Sequence, residues 1–333
     1  MQKILISTGG TGGHVIPAKV IKEHLIDDNE IYYSTDIRGL KYLSFDTDKT
    51  IILDTPKFNL NIFFPYKIVK LIYLVIKATL FLKNEKINKV VSIGGYMSLP
   101  VIISAKILRL SIFLIEPNLF LGRGNKFFLN FANKIFCYSD KLFNFPKKHL
   151  HKLELIKPLV FKTFYNQKEN KNRKDIFCFL ITGGSQGAKI FDDIIRDVMS
   201  EISKSFTIKV IQQTSRENVN NLKNFYDSNN IENIIFNFEE KFIDLINISD
   251  LCITRSGATS LAEISYLKKP FIAIPLPTSK DNHQLRNAEF YEEKGCCWIF
   301  DQKKLNKENL LNFIEYLLND KSQLIEKKKI YKN

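Results

Sequence analysis

Three short glycine-rich segments contain the residues whose chemistry can be inferred first. Each follows an apolar run of the kind that forms a buried strand, and each precedes residues that can begin a helix. The segments are Gly9-Gly-Thr-Gly-Gly-His14, Gly94-Gly-Tyr96 and Gly183-Gly-Ser-Gln-Gly187. Glycines let the backbone approach an anion closely, and the first N–H groups of the following helix face it. A tight strand-to-helix turn also needs glycine, so one segment is weak evidence, whereas three together predict anionic ligands.

The first glycine segment ends in His14, a side chain that can titrate near neutral pH. It could act as a general base on a hydroxyl nucleophile, or it could orient a phosphate or cap the helix. Pro17 is expected in the first turn of this helix, where its missing N–H costs nothing. The segment matches neither the dinucleotide-binding motif nor the P-loop motif, so its ligand has to be inferred from other residues.

Acidic and amide side chains near predicted strand ends are further candidates. Glu116 and Asn118 follow an apolar run, and open α/β sheets bind ligands at the carboxyl ends of their strands. The alternative is that they cap a loop. Glu263 lies about two turns into a helix that we expect to begin at Ser256 and Gly257. The start of that helix can bind a phosphate, and a carboxylate on it can accept both hydroxyls of a ribose.

Strands and helices alternate along the whole chain, which predicts mainly parallel sheets. The same alternation begins again after a polar, lysine-rich run at residues 162–175, so two domains are expected with their boundary within residues 157–175. Asp36 follows the second predicted strand and is interpreted as a turn residue. The elements therefore place all three glycine segments at the carboxyl ends of strands.

The composition is that of a folded protein with an excess of positive charge. Its 333 residues can form two domains with separate cores, and 45% hydrophobic with 25% charged residues is ordinary for globular proteins. The formal charge of +14 suggests an anionic partner. Nucleic acid is not expected, because the chain has no basic block with interleaved aromatic residues. The five cysteines show no C-x-x-C spacing and are expected as buried, reduced thiols of a cytosolic protein, and no signal peptide is predicted.

Residues 60–82 are the most hydrophobic region of the chain. A transmembrane span is not predicted, because Pro65, Lys67, Lys70 and Lys77 interrupt the region. Aromatic and aliphatic side chains mixed with lysines favour a surface that enters a bilayer interface and pairs with anionic head groups. The alternative is a buried helix whose lysines extend to solvent.

Taken together, the glycine segments resemble those of the MurG family, the UDP-N-acetylglucosamine:lipid I N-acetylglucosaminyltransferases of bacterial peptidoglycan synthesis. Two further motifs extend the resemblance: Arg255-Ser-Gly257 with Glu263, and Asp281-Asn-His-Gln284 with Asn287. All of them occur in the family's order and spacing across nearly the whole chain.

The resemblance implies an α/β architecture with the GT-B fold, in which two Rossmann-like domains with parallel sheets face each other across a cleft. The implied N-terminal domain, residues 1–160, binds the acceptor and the membrane. The implied C-terminal domain, residues 161–317, binds the UDP-sugar. A final helix at about residues 318–333 would pack back on the N-terminal domain.

The resemblance also implies binding residues. Gly94, Gly95 and Tyr96, with the first glycine segment, would bind the acceptor's pyrophosphate, while His14 is the first candidate for the catalytic base and Glu116 the second. The residues implied to bind UDP-GlcNAc are Thr11, Gly12, Gly13, Asn118, Ser185, Gln186, Ile243, Ala258, Glu263 and Gln284. No cofactor and no metal ion are expected, because backbone N–H groups can stabilise the departing UDP.

The implied reaction is inverting transfer of GlcNAc from UDP-GlcNAc to the 4-hydroxyl of MurNAc in lipid I, which gives lipid II and UDP. It serves cell wall biogenesis, and through it cell shape and cell division. A peripheral location on the cytoplasmic leaflet of the inner membrane would follow, since the polyprenyl-diphosphate acceptor lies there. The alternatives are a related GT-B lipid glycosyltransferase or a UDP-sugar epimerase. A non-catalytic membrane- or polyanion-binding protein would explain the charge but not the glycine segments with Glu263 and Gln284.

Overall fold

The computed structural model describes residues 1–10, 12–43, 49–57, 64–167, 176–183, 189–239 and 241–330. The contacts divide the chain into two compact units, Met1–Lys162 and Thr163–Asn333, which are called the first and the second domain below. The division falls two residues beyond the end that was expected for the N-terminal domain. Among the described residues, no helix is long and apolar enough to cross a membrane.

The first domain is a parallel sheet flanked by helices. Its strands are β1 (Gln2–Ser7), β2 (Asn29–Thr35), β3 (Thr50–Ile52), β4 (Lys89–Ser92), β5 (Ser111–Glu116), β6 (Lys134–Cys137) and β7 (Leu153–Leu155). Its helices are α1 (Gly12–Leu25), α2 (Ile37–Leu40), α3 (Phe64–Asn84), α4 (Leu99–Ile107) and α5 (Arg123–Phe128). The strand order is β3-β2-β1-β4-β5-β6-β7, and every described pairing is parallel.

The second domain repeats this architecture. Its strands are β8 (Phe177–Thr182), β9 (Ile208–Gln213), β10 (Glu232–Phe236), β11 (Leu251–Thr254), β12 (Phe271–Ala273) and β13 (Cys297–Ile299). Its helices are α6 (Arg196–Ile202), α7 (Val219–Ser228), α8 (Phe242–Ile248), α9 (Ala258–Tyr266), α10 (His283–Glu293), α11 (Lys307–Asn319) and α12 (Ser322–Ile330). The parallel order is β10-β9-β8-β11-β12-β13.

In each sheet the order in which strands are added reverses at one place, beside β1 in the first domain and beside β8 in the second. In the first domain the chain leaves β1 toward β2 on one side, and later adds β4 on the other side of β1. In the second domain β8 has β9 on one side and β11 on the other. Loops that diverge from two adjacent strand ends leave a crevice, which is where open α/β sheets bind ligands.

The cores explain why these strands form. Both faces of the first sheet are covered: Leu5 and Val90 belong to one buried apolar cluster, whereas Ile4 and Ile6 belong to a second cluster with Val15 of α1. Strands buried on both faces are apolar throughout, as the continuous runs in the sequence indicated. All five cysteines are buried and free, as expected.

Two expectations about local structure need correction or qualification. Pro17 is not in the first turn of α1, because the helix begins at Gly12 and Pro17 is its sixth residue. Pro17 therefore supplies no N–H to the preceding turn. The described contacts of α12 lie within the second domain, where Leu324 joins the core and the Lys327 ammonium lies 4.5 Å from the centre of the Trp298 ring. The packing of a final helix on the N-terminal domain stays a prediction.

Helix α3 occupies the hydrophobic region and has two different faces. Leu74, Ala78 and Leu82 recur every four residues and are buried in the core of the first domain. Away from this core seven large apolar side chains are exposed, which we call the α3 face: Tyr66, Ile68, Val69, Ile72, Tyr73, Ile76 and Leu80. The reading as a buried helix therefore holds for one side of α3, whereas membrane contact by the exposed side stays a prediction. Leu60, Ile62 and Phe63, which belonged to the same prediction, lie outside the described residues.

Candidate functional site

The loops after β1 and β4 meet at the carboxyl edge of the first sheet. Gly95 has φ +81°, and a Cβ atom there would overlap the Met97 sulfur and lie 3.9 Å from His14 Nε2. A side chain at this position is therefore excluded by both conformation and space. His14, the third residue of α1, is half-buried, and its carbonyl accepts a hydrogen bond from Thr8 Oγ1 at 2.8 Å. The structure thus brings the predicted base beside the predicted acceptor loop.

Asp36 holds the first glycine segment in place. Its Oδ1 accepts from the backbone N–H groups of Gly10 and Gly39, both at 2.8 Å, and its Oδ2 accepts from Arg38 Nε at 3.0 Å and Nη2 at 2.6 Å. Burial alone would raise the pKa of this carboxyl, but the donors from Gly10, Gly39 and Arg38 bring it below its usual value. Asp36 is thus more than a turn residue, since it joins two segments of the chain.

Tyr96 is connected to the same group. Its hydroxyl oxygen accepts a hydrogen bond from Arg38 Nη2 at 2.6 Å. The guanidinium therefore links the carboxylate that supports the first glycine segment to the aromatic residue of the second. Sequence reasoning missed Arg38; the available signal was an Asp directly after a predicted strand, since Asp is a preferred helix N-cap residue.

Glu116, the second candidate base, is enclosed by donors from its own loop. Its Oε1 accepts from Asn118 N at 3.2 Å and Nδ2 at 3.1 Å, and its Oε2 accepts from Gly122 N at 2.9 Å and Asn125 Nδ2 at 3.0 Å. Burial raises the pKa of Glu116, while these donors act in the opposite direction. The side chain is 3% exposed. This geometry favours an organising role for Glu116, with Asn118 held in the loop by the same carboxylate.

In the second domain, Glu263 is the sixth residue of α9 and is buried. Within the described part of the chain, its carboxylate has no hydrogen-bond donor. Burial raises the pKa of Glu263 to about 8. A buried carboxylate without donors is costly, and it becomes favourable when a ligand supplies hydroxyl donors. Gly257 caps the start of the same helix and Ala258 is its first residue, with open space around the Gly257 Cα.

Helix α10 is tied to the start of α9. Asn287 Nδ2 donates to the backbone carbonyl of Ser256 at 3.0 Å, and Gln284 Oε1 accepts from the backbone N–H of Leu276 at 2.9 Å. Gln284 and Glu263 are therefore held by elements that follow adjacent strands, β11 and β12. Ile243 is half-buried in α8.

Arg255 stabilises the segment that follows β11. Its guanidinium donates to the Ile274 carbonyl at 3.0 Å, and its Cζ lies 4.8 Å from the centre of the Phe191 ring.

The structure describes some of the remaining predicted site residues but not others. Gly12 and Gly13 are the first two residues of α1, and Gly94 precedes Gly95 with φ +93°. Thr11, Ser185 and Gln186 lie outside the described residues. Across the ranges that are described, no group of three His, Cys, Asp or Glu side chains could hold a metal ion.

Comparison with protein families matches both domains. Residues 4–137 match the glycosyltransferase family 28 N-terminal domain, and residues 178–333 match the glycosyltransferase family 28 C-terminal domain. A curated protein of Pelagibacter ubique, named UDP-N-acetylglucosamine--N-acetylmuramyl-(pentapeptide) pyrophosphoryl-undecaprenol N-acetylglucosamine transferase, is 42% identical over 100% of this chain and 94% of its own length. A Rickettsia felis protein of the same name is 31% identical over 96% of this chain and 92% of its own length.

Solved structures share the fold. MurG of Acinetobacter baumannii superposes with a TM-score of 0.80 at 20% identity, over 99% of this chain and 94% of that chain. The UDP-GlcNAc 2-epimerase of Neisseria meningitidis bound to UDP-GlcNAc gives 0.65 at 14% identity, also over 99% and 94%. These two likenesses speak for the fold alone. With the full-length relatives and both family matches, they confirm the predicted GT-B architecture, and the chain belongs to glycosyltransferase family 28 and, within it, to the MurG family.

Proposed function

We propose that this chain transfers GlcNAc from UDP-GlcNAc to the 4-hydroxyl of MurNAc in lipid I, releasing UDP and forming lipid II in peptidoglycan synthesis. The observation that carries the proposal is the 42% identity over the whole chain to a relative with this name. The alternative of a UDP-sugar epimerase has weaker support, since the epimerases resemble the chain only in fold, at 11–15% identity.

The second domain would bind the donor. Glu263 would accept both ribose hydroxyls of UDP, and its lack of a donor among the described residues supports this role. The start of α9, at Gly257 and Ala258, would present N–H groups to the nucleotide's phosphates. Gln284 would lie near the sugar and Ile243 near the uracil. Ser185 and Gln186, in the third glycine segment, would lie near the pyrophosphate.

The first domain would bind the acceptor and activate it. Gly94, Gly95 and Tyr96 would bind the acceptor's pyrophosphate together with the first glycine segment, and Thr11, Gly12, Gly13 and Asn118 would meet the donor. His14 is the proposed base. Its Nε2 lies beside Gly95, and an imidazole can accept a proton near neutral pH. Glu116 is the weaker candidate, because four donors already occupy its carboxylate.

The reaction is a single displacement. The 4-hydroxyl proton passes to His14, the hydroxyl oxygen bonds to the anomeric carbon, and the bond from that carbon to the diphosphate breaks with its electron pair leaving on UDP. Attack opposite to the leaving group inverts the configuration. Fixed N–H dipoles near the diphosphate stabilise the charge that develops on it.

The α3 face would bind the cytoplasmic leaflet of the inner membrane, where a polyprenyl-linked acceptor is held. Its seven apolar side chains are accompanied by basic residues on the same helix: Lys70 Nζ lies 3.4 Å from Asp54, and Lys77 Nζ donates to the Ile52 carbonyl at 3.2 Å. Apolar insertion with adjacent positive charge suits an interface that contains anionic lipids.

The membrane proposal has a matched test. Replacing Tyr73 and Ile76 of the α3 face with serine should lower partitioning onto vesicles that contain anionic phospholipid by about tenfold or more, since each side chain contributes roughly 1.5–3 kcal/mol when buried. The control is Tyr316→Ser with Ile325→Ser, a pair of the same residue types and similar exposure in the second domain. Equal partitioning of both double variants would reject the α3 face as the membrane contact.

The catalytic proposal is tested by UDP release from UDP-GlcNAc, with and without a lipid I analogue in detergent. Release that depends on the acceptor, with GlcNAc recovered on the MurNAc 4-hydroxyl, is expected. Conversion of UDP-GlcNAc to its 2-epimer without transfer would favour the epimerase alternative instead. Binding of UDP-GlcNAc without either reaction would reject lipid I as the acceptor.

A further inference from the structure

Arg38 stands between the two glycine segments of the first domain. Its Nη2 is 2.6 Å from the Tyr96 hydroxyl and lies 3.8 Å from the position that a Cβ atom on Gly10 would take. The side chain is held on one edge by Asp36, which accepts from both Nε and Nη2. About half of the side chain, 49%, is exposed to solvent. The guanidinium is therefore both fixed and accessible.

One nitrogen of the guanidinium, Nη1, is unused among the described residues. An arginine carries five N–H donors, and the hydrogen bonds to Asp36 and Tyr96 involve only Nε and Nη2. In the described ranges, Nη1 has no hydrogen-bond partner. Its two N–H groups remain for a ligand, and Nη1 shares its carbon atom with Nη2, the nitrogen that lies beside Gly10 and Tyr96.

Arg38 supplies only part of the hydrogen bonding that stabilises the Asp36 carboxylate. Its Oδ1 is already stabilised by two backbone N–H groups, from Gly10 and Gly39 at 2.8 Å each. Asp36 therefore fixes the orientation of the guanidinium while leaving positive charge available to a second anion. Arginine suits this task because its planar group can contact one anion on each edge.

We propose that Arg38 is a further acceptor-binding residue, whose Nη1 edge pairs with the diphosphate of the acceptor between the two glycine segments. The inference rests on the proposed function for the identity of the acceptor. The contact is made by the ground state and the transition state alike, so it lowers the acceptor's KM and leaves kcat little changed.

The test compares Arg38→Ala and Arg38→Lys with the wild type in transfer assays with two acceptors, a diphosphate-linked analogue and a monophosphate-linked one. We expect Arg38→Ala to raise the KM for the diphosphate acceptor about tenfold to a hundredfold, as loss of a charged hydrogen bond does. The KM for UDP-GlcNAc should stay unchanged, Arg38→Lys should recover part of the loss, and the effect should shrink with the monophosphate acceptor. Arg109→Ala, an exposed arginine beyond the far end of α4, is the matched control.

A second readout is independent of transfer. Binding of inorganic pyrophosphate is measured by calorimetry with saturating UDP, which occupies the proposed donor site. Weaker pyrophosphate binding in Arg38→Ala than in Arg109→Ala supports the inference even if lipid I proves to be the wrong acceptor. Unchanged pyrophosphate affinity and acceptor KM would overturn it, and so would a parallel rise in both KM values, which indicates a purely structural role.

Discussion

The buried carboxylates of the two domains differ in how they are satisfied. In the first domain, Asp36 and Glu116 each accept four hydrogen bonds, two on each oxygen, from loops at the carboxyl edge of the sheet. In the second domain, Glu263 is also buried but has no donor within the described residues, and burial raises its pKa to about 8. Within the described residues, the protein thus satisfies this chemical group in one domain and leaves it without donors in the other.

This difference separates organising groups from ligand-binding groups. A carboxylate whose four acceptor positions are filled by the protein fixes backbone geometry and offers little to a substrate. A buried carboxylate that the protein leaves without donors lowers stability until a ligand supplies them. Under the proposed function, the carboxyl edge of the first sheet is organised before its substrate binds, whereas that of the second sheet is completed by its substrate.

The largest expected effect is that of replacing His14, the proposed base. It remains as the candidate because donors already occupy the carboxylates of Asp36 and Glu116. His14→Ala should lower kcat by about 10²- to 10⁴-fold, the usual contribution of a general base, with both substrates saturating. Glu116→Gln, which keeps the size of the side chain, should lower kcat far less. Single-turnover transfer rates measure both variants. A His14→Ala enzyme with nearly full turnover would contradict the base assignment.

The second effect is on stability. Glu116→Ala removes the buried acceptor of four hydrogen bonds from Asn118, Gly122 and Asn125, which should cost about 3 kcal/mol or more. Hydrogen exchange of peptides across residues 111–128 should accelerate accordingly. Glu263→Ala breaks no described hydrogen bond and should change exchange across residues 251–266 by less than about 1 kcal/mol, the range of a substitution that removes no partner. Equal losses in both variants would remove the distinction between the two carboxylates.

The third effect is a proton linked to nucleotide binding. With its pKa raised to about 8, Glu263 is mainly protonated at pH 7, and hydroxyl donors from a ribose favour its ionised form. UDP binding at pH 7 should therefore release close to one proton, and UDP affinity should rise with pH up to about 8. Calorimetry in buffers of different ionisation enthalpy measures this proton, using Glu263→Gln as the reference. The same proton release in wild type and variant would show that Glu263 does not bind the nucleotide.

The smallest expected effect is that of metal removal. Because N–H dipoles are proposed to stabilise the leaving diphosphate, excess EDTA should change the transfer rate by less than about twofold. Restoration of the rate by added Mg²⁺ after a large loss would require a metal-assisted departure of UDP.

The elements of the fold were predictable because their signals are local. Apolar runs followed by glycine marked β1, β4 and β8, and the alternation of strands and helices predicted parallel sheets. The short strand β13 (Cys297–Ile299) was not predicted, since three residues carry little periodicity. The start of α1 at Gly12 was also missed, because Pro17 suggested a later start.

The site was predictable only in part, because much of it depends on contacts between distant residues. The bond from Gly10 to Asp36 spans 26 positions, and that from Arg38 to Tyr96 spans 58. Neither can be read from spacing along the chain. Likewise, the sequence marked residues 60–82 as hydrophobic, but only packing showed which side of α3 is buried against the core. The roles of the site residues stay predictions.

The most direct test measures the KM for UDP-GlcNAc and the KM for the acceptor in Glu263→Ala and in Arg38→Ala. It asks whether the donor binds at the carboxyl edge of the second sheet and the acceptor at that of the first. The account predicts that Glu263→Ala raises the KM for UDP-GlcNAc by about tenfold or more and leaves the acceptor's KM unchanged, while Arg38→Ala does the reverse. If both variants raise the same KM, or if one of the two KM values is changed by neither variant, the donor and the acceptor are not bound at separate edges as proposed.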